Sequence, residues 1–191
     1  LTEPTEGDAF LLGKSIRRDT AAVKSLIAVS PQETAVAPGL SVRENLELMC
    51  GIYGFSKEKQ AAKIAELAEK LGLAPVLGKK AGKLSGGFQR RLSIAMALIG
   101  EPRILFLDEP TLGLDVLARH ELWELIRSLK GNVTIILTTH YLEEAEELSD
   151  RIGILRNGTL LTVGNAQEIV EETGAENFES AFVALVKEGI S

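Results

Sequence analysis

A single cysteine, Cys50, among 191 residues excludes an intramolecular disulfide and any multi-cysteine metal site. Long apolar runs are missing too. The longest stretch without Asp, Glu, Lys or Arg is residues 131–142, only 12 residues, whereas a membrane-spanning helix needs about 18 or more apolar residues. Basic residues are not in excess: 21 Lys and Arg stand against 27 Asp and Glu, a net charge of −6. That balance argues against a broad nucleic-acid-binding surface. The first residues, Leu1-Thr2-Glu3-Pro4, lack the basic-then-apolar layout of a secretion signal. They also lack a Met start, as a fragment or processed chain would. Neither internal repeats nor low-complexity linkers are visible.

What is present is ordinary for a folded chain. Apolar residues make up 45% and charged residues 25%. The length fits one domain with a sizeable core, or one domain with a subdomain. Charge is unevenly spread, however: residues 37–100 carry net +5 and the remainder −11. Either two regions have different surroundings, or charges cluster by chance on solvated helix faces.

Short, unalternating apolar runs at 26–29, 104–107 and 133–137 predict strands buried on both faces, as in a parallel sheet. Between them, apolar residues spaced by three and four predict helices over 42–53, 57–71, 87–99, 116–130 and 141–149. Strands alternating with helices imply an α/β fold. The 57–71 segment puts Ile64, Leu67, Ala68 and Leu71 on one face and reads as an amphipathic surface helix. Leu92, Ala95, Met96 and Ile99 form a stripe with few polar neighbours, so that helix reads as more deeply buried. Trp123, with Leu122 and Ile126, reads as core packing. Farther on, 151–155 and 159–163 flank Asn157-Gly158, a strong hairpin signal. Two weaker helices, 166–172 and 178–187, close the chain.

Two segments carry chemistry. In the first, Ile104-Leu105-Phe106-Leu107 runs into Asp108-Glu109-Pro110-Thr111. Proline cannot continue a central strand, so the strand ends there. Its two acids lie at the carboxyl edge of the sheet, where open α/β folds bind ligands. One acid suits a magnesium ion and the other a general base acting on water; alone, the segment is equally a solvated turn. The second segment is Leu84-Ser85-Gly86-Gly87-Phe88-Gln89. Ser85 is a good helix N-cap, and the glycines leave the helix mouth open to a phosphate. Alone, this is an ordinary helix start.

Together these motifs resemble the ATP-binding cassette (ABC) ATPases. Val29-Ser30-Pro31-Gln32-Glu33, then Ser85-Gly86-Gly87, Asp108-Glu109-Pro110-Thr111, Leu112-Gly113-Leu114-Asp115 and His140 follow one another in the family's order. The resemblance implies a P-loop NTPase fold of the ABC type: a mostly parallel sheet with an inserted helical subdomain. The core would comprise residues 1–36 and 101–191, and the helical signature subdomain residues 37–100. It implies ATP as ligand and Mg2+ as metal. Gln32 resembles the glutamine that touches magnesium and the attacking water. Ser85, Gly86 and Gly87 resemble the signature segment, which caps the γ-phosphate of ATP held by a second ATPase subunit in a head-to-tail dimer. Asp108 resembles the Walker B aspartate, Glu109 the catalytic glutamate, Asp115 the aspartate crossing the dimer interface, and His140 the switch histidine.

Other partners implied are a transmembrane transporter subunit or domain, with no nucleic acid. The location implied is cytoplasmic, peripheral at the inner face of the cell membrane. Phe88 stands where the family usually has glutamine directly after the glycines. With Ala97-Leu98-Ile99-Gly100-Glu101-Pro102 behind it, the segment resembles exporter-type members, for multidrug, antibiotic or lipid cargo. A non-transport ABC ATPase of translation or DNA maintenance is the alternative. The 53 positions from Gln32 to Ser85 are too few for the long coiled coils of the DNA-maintenance branch.

One family element is missing. Gly7-Asp8-Ala9-Phe10-Leu11-Leu12-Gly13-Lys14-Ser15 approaches the phosphate-binding pattern G-x-x-x-x-G-K-[ST] but places five residues between its glycines. Residues 7–14 therefore read as a strand and turn. The P-loop is expected upstream, and the chain alone is expected to be inactive.

Overall fold

The computed structural model describes residues 4–188. The chain divides into two compact units, residues 1–138 and 139–191.

The first unit is built on a parallel sheet of β3 (Ile27–Ser30), β4 (Ile104–Asp108) and β5 (Thr134–Thr138), with β4 in the centre. Ala28, Leu105 and Ile135 lie in register, as do Ser30, Leu107 and Leu137. Leu105 and Leu107 on this face are fully buried. The opposite face carries Val29, Phe106 and Ile136 in register. Burial on both faces does not hold: Phe106 on this face is only half-buried, and Val29 is 52% and Ile136 43% exposed. The apolar run therefore reports the sheet's chemistry, while the cover on this face is thin.

Three α-helices and two short 3-10 turns, Ala74–Val76 and Ala81–Lys83, lie between β3 and β4. The α-helices are α2 (Val42–Ile52), α3 (Lys57–Lys70) and α4 (Gly86–Leu98). Ser41 and Glu44 make a reciprocal capping box at the start of α2, and Ser56 caps α3. Leu46, Cys50, Ile64, Leu67, Leu71 and Leu92 are buried among them. Burial pushes the Cys50 thiol up, so it is a core residue rather than a reactive one. Helix α4 is buried from Leu92 to Leu98. Helix α5 (Val116–Leu129) turns Leu122, Trp123 and Ile126 inward, each at most 2% exposed.

Two short elements precede the sheet. β1 (Phe10–Leu11) and β2 (Lys14–Ser15) pair antiparallel. The turn residues Leu12 and Gly13 both have positive φ, 50° and 78°, as a two-residue hairpin requires. Helix α1 (Thr20–Leu26) follows; with Val23 as its one buried residue it leaves no apolar period to read.

Lys63 ties α3 to the end of α4. Its Nζ lies 3.0 Å from Glu66 Oε2 and 3.1 Å from Glu101 Oε1. Burial pulls the Lys63 pKa down, but hydrogen bonds to Glu66 and Glu101 outweigh it and raise it overall. The hydrogen bond from Lys63 holds the Glu101 carboxyl below its ordinary range. The pair's contribution is therefore complete between the ordinary glutamate and lysine values. It is lost as pH falls through the lowered Glu101 value, or rises through the raised Lys63 value. Glu101→Gln should cost about 0.2–1 kcal/mol near pH 7, the range of exposed pairs. In melting curves of the two proteins, that difference should shrink below the ordinary carboxylate range. A difference that persists unchanged at pH 3 would contradict this account.

The second unit holds α6 (Leu142–Leu148), the hairpin β6 (Ile152–Arg156) and β7 (Thr159–Gly164), α7 (Ala166–Thr173) and α8 (Phe178–Glu188). The hairpin turns on Asn157 and Gly158, with φ of 49° and 79°. Ile152, Ile154, Ile169, Phe178 and Ala181 form its core.

Candidate functional site

β4 delivers Asp108 and Glu109 to the carboxyl edge of the parallel sheet. Asp108 is in register with Thr138 at the end of β5. The Thr138 hydroxyl donates to Asp108 Oδ1 at 2.6 Å, which aims the carboxylate from the neighbouring strand. The backbone N–H of Glu109 donates to Thr138 O at 3.1 Å, with Thr138 Oγ1 at 3.3 Å. Glu109 has φ +46°, a left-handed backbone rare for a residue with a side chain. Such geometry is costly and persists where the surroundings enforce it. Here they are Thr138 behind Glu109, Pro110 ahead, and the bond from Leu112 N–H back to Glu109 O at 3.2 Å. The turn makes Glu109 depart from the strand direction while Asp108 stays in it.

β3 runs parallel to β4, so Gln32, two residues past its end, leaves the sheet at the same edge. Its side chain is exposed, and its carbonyl accepts from Arg90 Nη2 at 2.6 Å. That bond also brings the N-terminal part of α4 to this edge. Ser85 occupies the N-cap position of α4, as its sequence suggests, but its hydroxyl makes no capping hydrogen bond. The first-turn N–H groups thus have no side-chain cap from Ser85, and both Ser85 and Gly86 are exposed. Gln89, the glutamine displaced by one position, donates to the carbonyls of Ala81 and Leu84 at 3.1 and 3.3 Å. It braces the approach to the helix.

The two glycines admit the next segment. A Cβ on Gly86 would lie 3.3 Å from Leu114 Cδ2, and one on Gly87 3.3 Å from Ala118 Cβ. Asp115 caps α5, accepting from Ala118 N–H at 2.9 Å. Val116 and Leu117, immediately after it, are 62% and 70% exposed.

Residues 7–15 make no phosphate cradle. Lys14 sits on the returning strand of a hairpin instead of at a helix mouth. Ser15 is buried, and its hydroxyl donates to Asp8 and accepts from the N–H groups of Arg17 and Arg18. Among the described residues a cavity of about 720 Å³ is lined by Leu11 of the hairpin, Val23 of α1, the open sheet face, and Asp108 and Thr138.

His140 belongs to the second unit. Its ring centroid is 4.1 Å from that of Tyr141, and the Tyr141 N–H donates to Thr139 Oγ1 at 3.0 Å.

Asp108 and Gln32 offer oxygen donors of the kind Mg2+ takes. That ion keeps several waters and needs only one or two carboxylates from a protein. The donor chemistry therefore fits, although no cluster of three or more His, Cys, Asp or Glu is found among the described residues.

Two residues of the site escape sequence reasoning. Thr138 left one signal, a polar residue closing an apolar strand. Arg90 left another: it falls three, four and seven positions before Ser93, Ile94 and Ala97, on the buried face of α4.

Comparison with known proteins gives a consistent result. The family model described as ABC transporter matches residues 1–112. The chain is 39% identical over 180 residues to daunorubicin resistance ATP-binding protein DrrA3 of Streptomyces coeruleorubidus, covering 94% of this chain and 57% of that protein. It is 39% identical over 174 residues to Nod factor export ATP-binding protein I of Rhizobium etli, covering 90% and 55%. The chain thus spans about half the length of these relatives. A solved structure described as the ATP-binding subunit of an ABC transporter superposes with a TM-score of 0.80 at 28% identity, covering 96% of this chain and 78% of that one.

Proposed function

This chain belongs to the ABC transporter family, and we propose that it forms part of an ATP-hydrolysing subunit driving export through a membrane partner. The observation that carries the reading is the shared edge. Gln32, Asp108 and Glu109 leave their strands at one end of the parallel sheet, and Arg90 of α4 is bonded to Gln32 there. The names of the relatives, which mention drug resistance and Nod factor export, support export as the direction.

In this reading Asp108, aimed by Thr138, and the Gln32 side chain hold Mg2+. When bound, the ion neutralises charge developing on the phosphates of ATP. Glu109 accepts a proton from the attacking water and keeps it oriented. His140 contacts the γ-phosphate. Ser85, Gly86 and Gly87 cap the γ-phosphate of ATP held by a second copy, through uncapped N–H groups at the positive end of α4. The exposed Val116 and Leu117 beside this mouth favour a protein surface there, and Asp115 sits at the same crossing. The segment 37–100 acts as the helical signature subdomain facing the membrane partner. The hairpin at Lys14 does not cradle the triphosphate. No described helix is long and apolar enough to cross a membrane.

Purification of the full-length protein from its native membranes tests the reading. A co-purifying multi-span membrane protein and Mg2+-dependent ATP hydrolysis are expected. Recovery with ribosomes or DNA and no membrane protein would overturn it.

A further inference from the structure

The loop leaving β3 is fixed by helices at both ends. Arg90 is only 4% exposed. Its Nη1 donates to Pro31 O and its Nη2 to Gln32 O, each at 2.6 Å. One turn along the same helix, Ser93 Oγ lies 2.9 Å from Ser30 Oγ, both buried. At the far end, fully buried Asn45 of α2 accepts from Ala37 N–H at 2.8 Å and donates to Ala37 O at 3.1 Å. Gly82 N–H donates to Pro38 O at 3.0 Å. Between these grips the Gln32 side chain stays exposed while its own carbonyl is held.

We propose that Arg90 is a positioning residue that latches the Gln32 loop to α4, so that Gln32 and the Ser85–Gly87 helix mouth move as one piece. The inference rests on the role given to Gln32 above. A guanidinium is planar and presents its donors in a fixed fork, so two successive carbonyls are set in direction as well as distance. Arg90 lies three and four positions after Gly87 and Gly86, on the same face of α4. At 1.5 Å per residue that is about 6 Å along the axis at most. A ligand that displaces the helix mouth therefore displaces the Gln32 carbonyl through one rigid turn and a two-pronged bond. Lysine offers a point charge on a flexible stem and would hold one carbonyl less well aligned. The latch makes the position of Gln32, relative to metal and water, depend on what is bound at Ser85–Gly87.

The test is a double-mutant cycle on ATP turnover by the full-length protein in its membrane complex. It compares Arg90→Ala, Arg90→Lys, Gln32→Ala and the combined variants. Arg90→Ala should lower kcat at least about tenfold with KM for ATP within about twofold, since a misplacement of about 1 Å can cost 10²-fold. Arg90→Lys should recover part of the loss. Adding Arg90→Ala to Gln32→Ala should cause no further loss, because residues acting through one another are not additive. If Arg90→Ala does not accumulate as folded protein, the same cycle runs on Arg90→Lys, which keeps the buried charge. A loss that is as large in the Gln32→Ala background as in the wild type would overturn the latch alone. So would a change confined to KM. Unchanged kcat in Gln32→Ala would instead remove the role of Gln32 itself, and the latch with it.

Discussion

Glu109→Gln in the full-length protein should cut ATP turnover about 10²–10⁴-fold, the usual worth of a general base. At about 1.36 kcal/mol per decade this is roughly 2.7–5.4 kcal/mol of barrier. The substitution is chosen because it isolates the proton. Glutamine has the size of glutamate and leaves the backbone bonds from Glu109 N–H to Thr138 untouched. The left-handed turn at φ +46° is demanded of either residue alike. What disappears is the ability to accept a proton from water. ATP binding should stay within about threefold and the melting temperature should barely move, so kcat falls while KM holds. Steady-state hydrolysis together with nucleotide titration reads both quantities. Unchanged turnover would remove Glu109 from the role.

Residues 1–191 alone should bind MgATP at least about a thousandfold more weakly than the full-length protein. Affinity for the phosphates depends on the number of hydrogen bonds they receive. A P-loop supplies several charge-assisted bonds, each worth about 1.5–3 kcal/mol; losing three costs about 4.5 kcal/mol or more. In the described residues the lysine that tempts the eye, Lys14, pairs in a hairpin, and the Ser15 hydroxyl is engaged by Asp8, Arg17 and Arg18. Neither residue is left to replace the missing loop donors. The sheet face beside the cavity adds apolar wall at Val29 and Ile136, and the cations on its rim, Arg17 and Lys24, are single side chains rather than a loop of backbone N–H groups. Isothermal titration of this chain with MgATP measures the effect, and micromolar affinity would contradict it.

Much of the fold is legible in the residues because its determinants are local. The apolar run at 104–107 gives way to Asp108, Glu109 and Pro110, and β4 ends at Asp108. Asn157-Gly158 predicts a hairpin, and both residues take the positive φ that such a turn needs. The stripe at Ile64, Leu67, Ala68 and Leu71 is buried as its spacing requires. Helix α1 was hidden because one buried residue, Val23, makes no period. The openness of β3 and β5 was hidden for a different reason: an apolar strand has the same sequence whether or not something covers it. Ser85 shows the limit of a propensity, since a good cap residue stands at the cap position with its hydroxyl unused by the helix.

The order and chemical type of the candidate groups — amide, helix mouth, two acids, imidazole — are properties of the chain read from end to end. Which groups support them is not. Thr138 reaches Asp108 across 30 positions, Ser93 meets Ser30 across 63, and Arg90 grips Pro31 and Gln32 across 59 and 58. Those pairings are set by strand register and by the face that α4 presents. Both follow from packing the whole unit at once, because a hydrogen bond depends on tenths of an ångström between atoms that no local pattern relates.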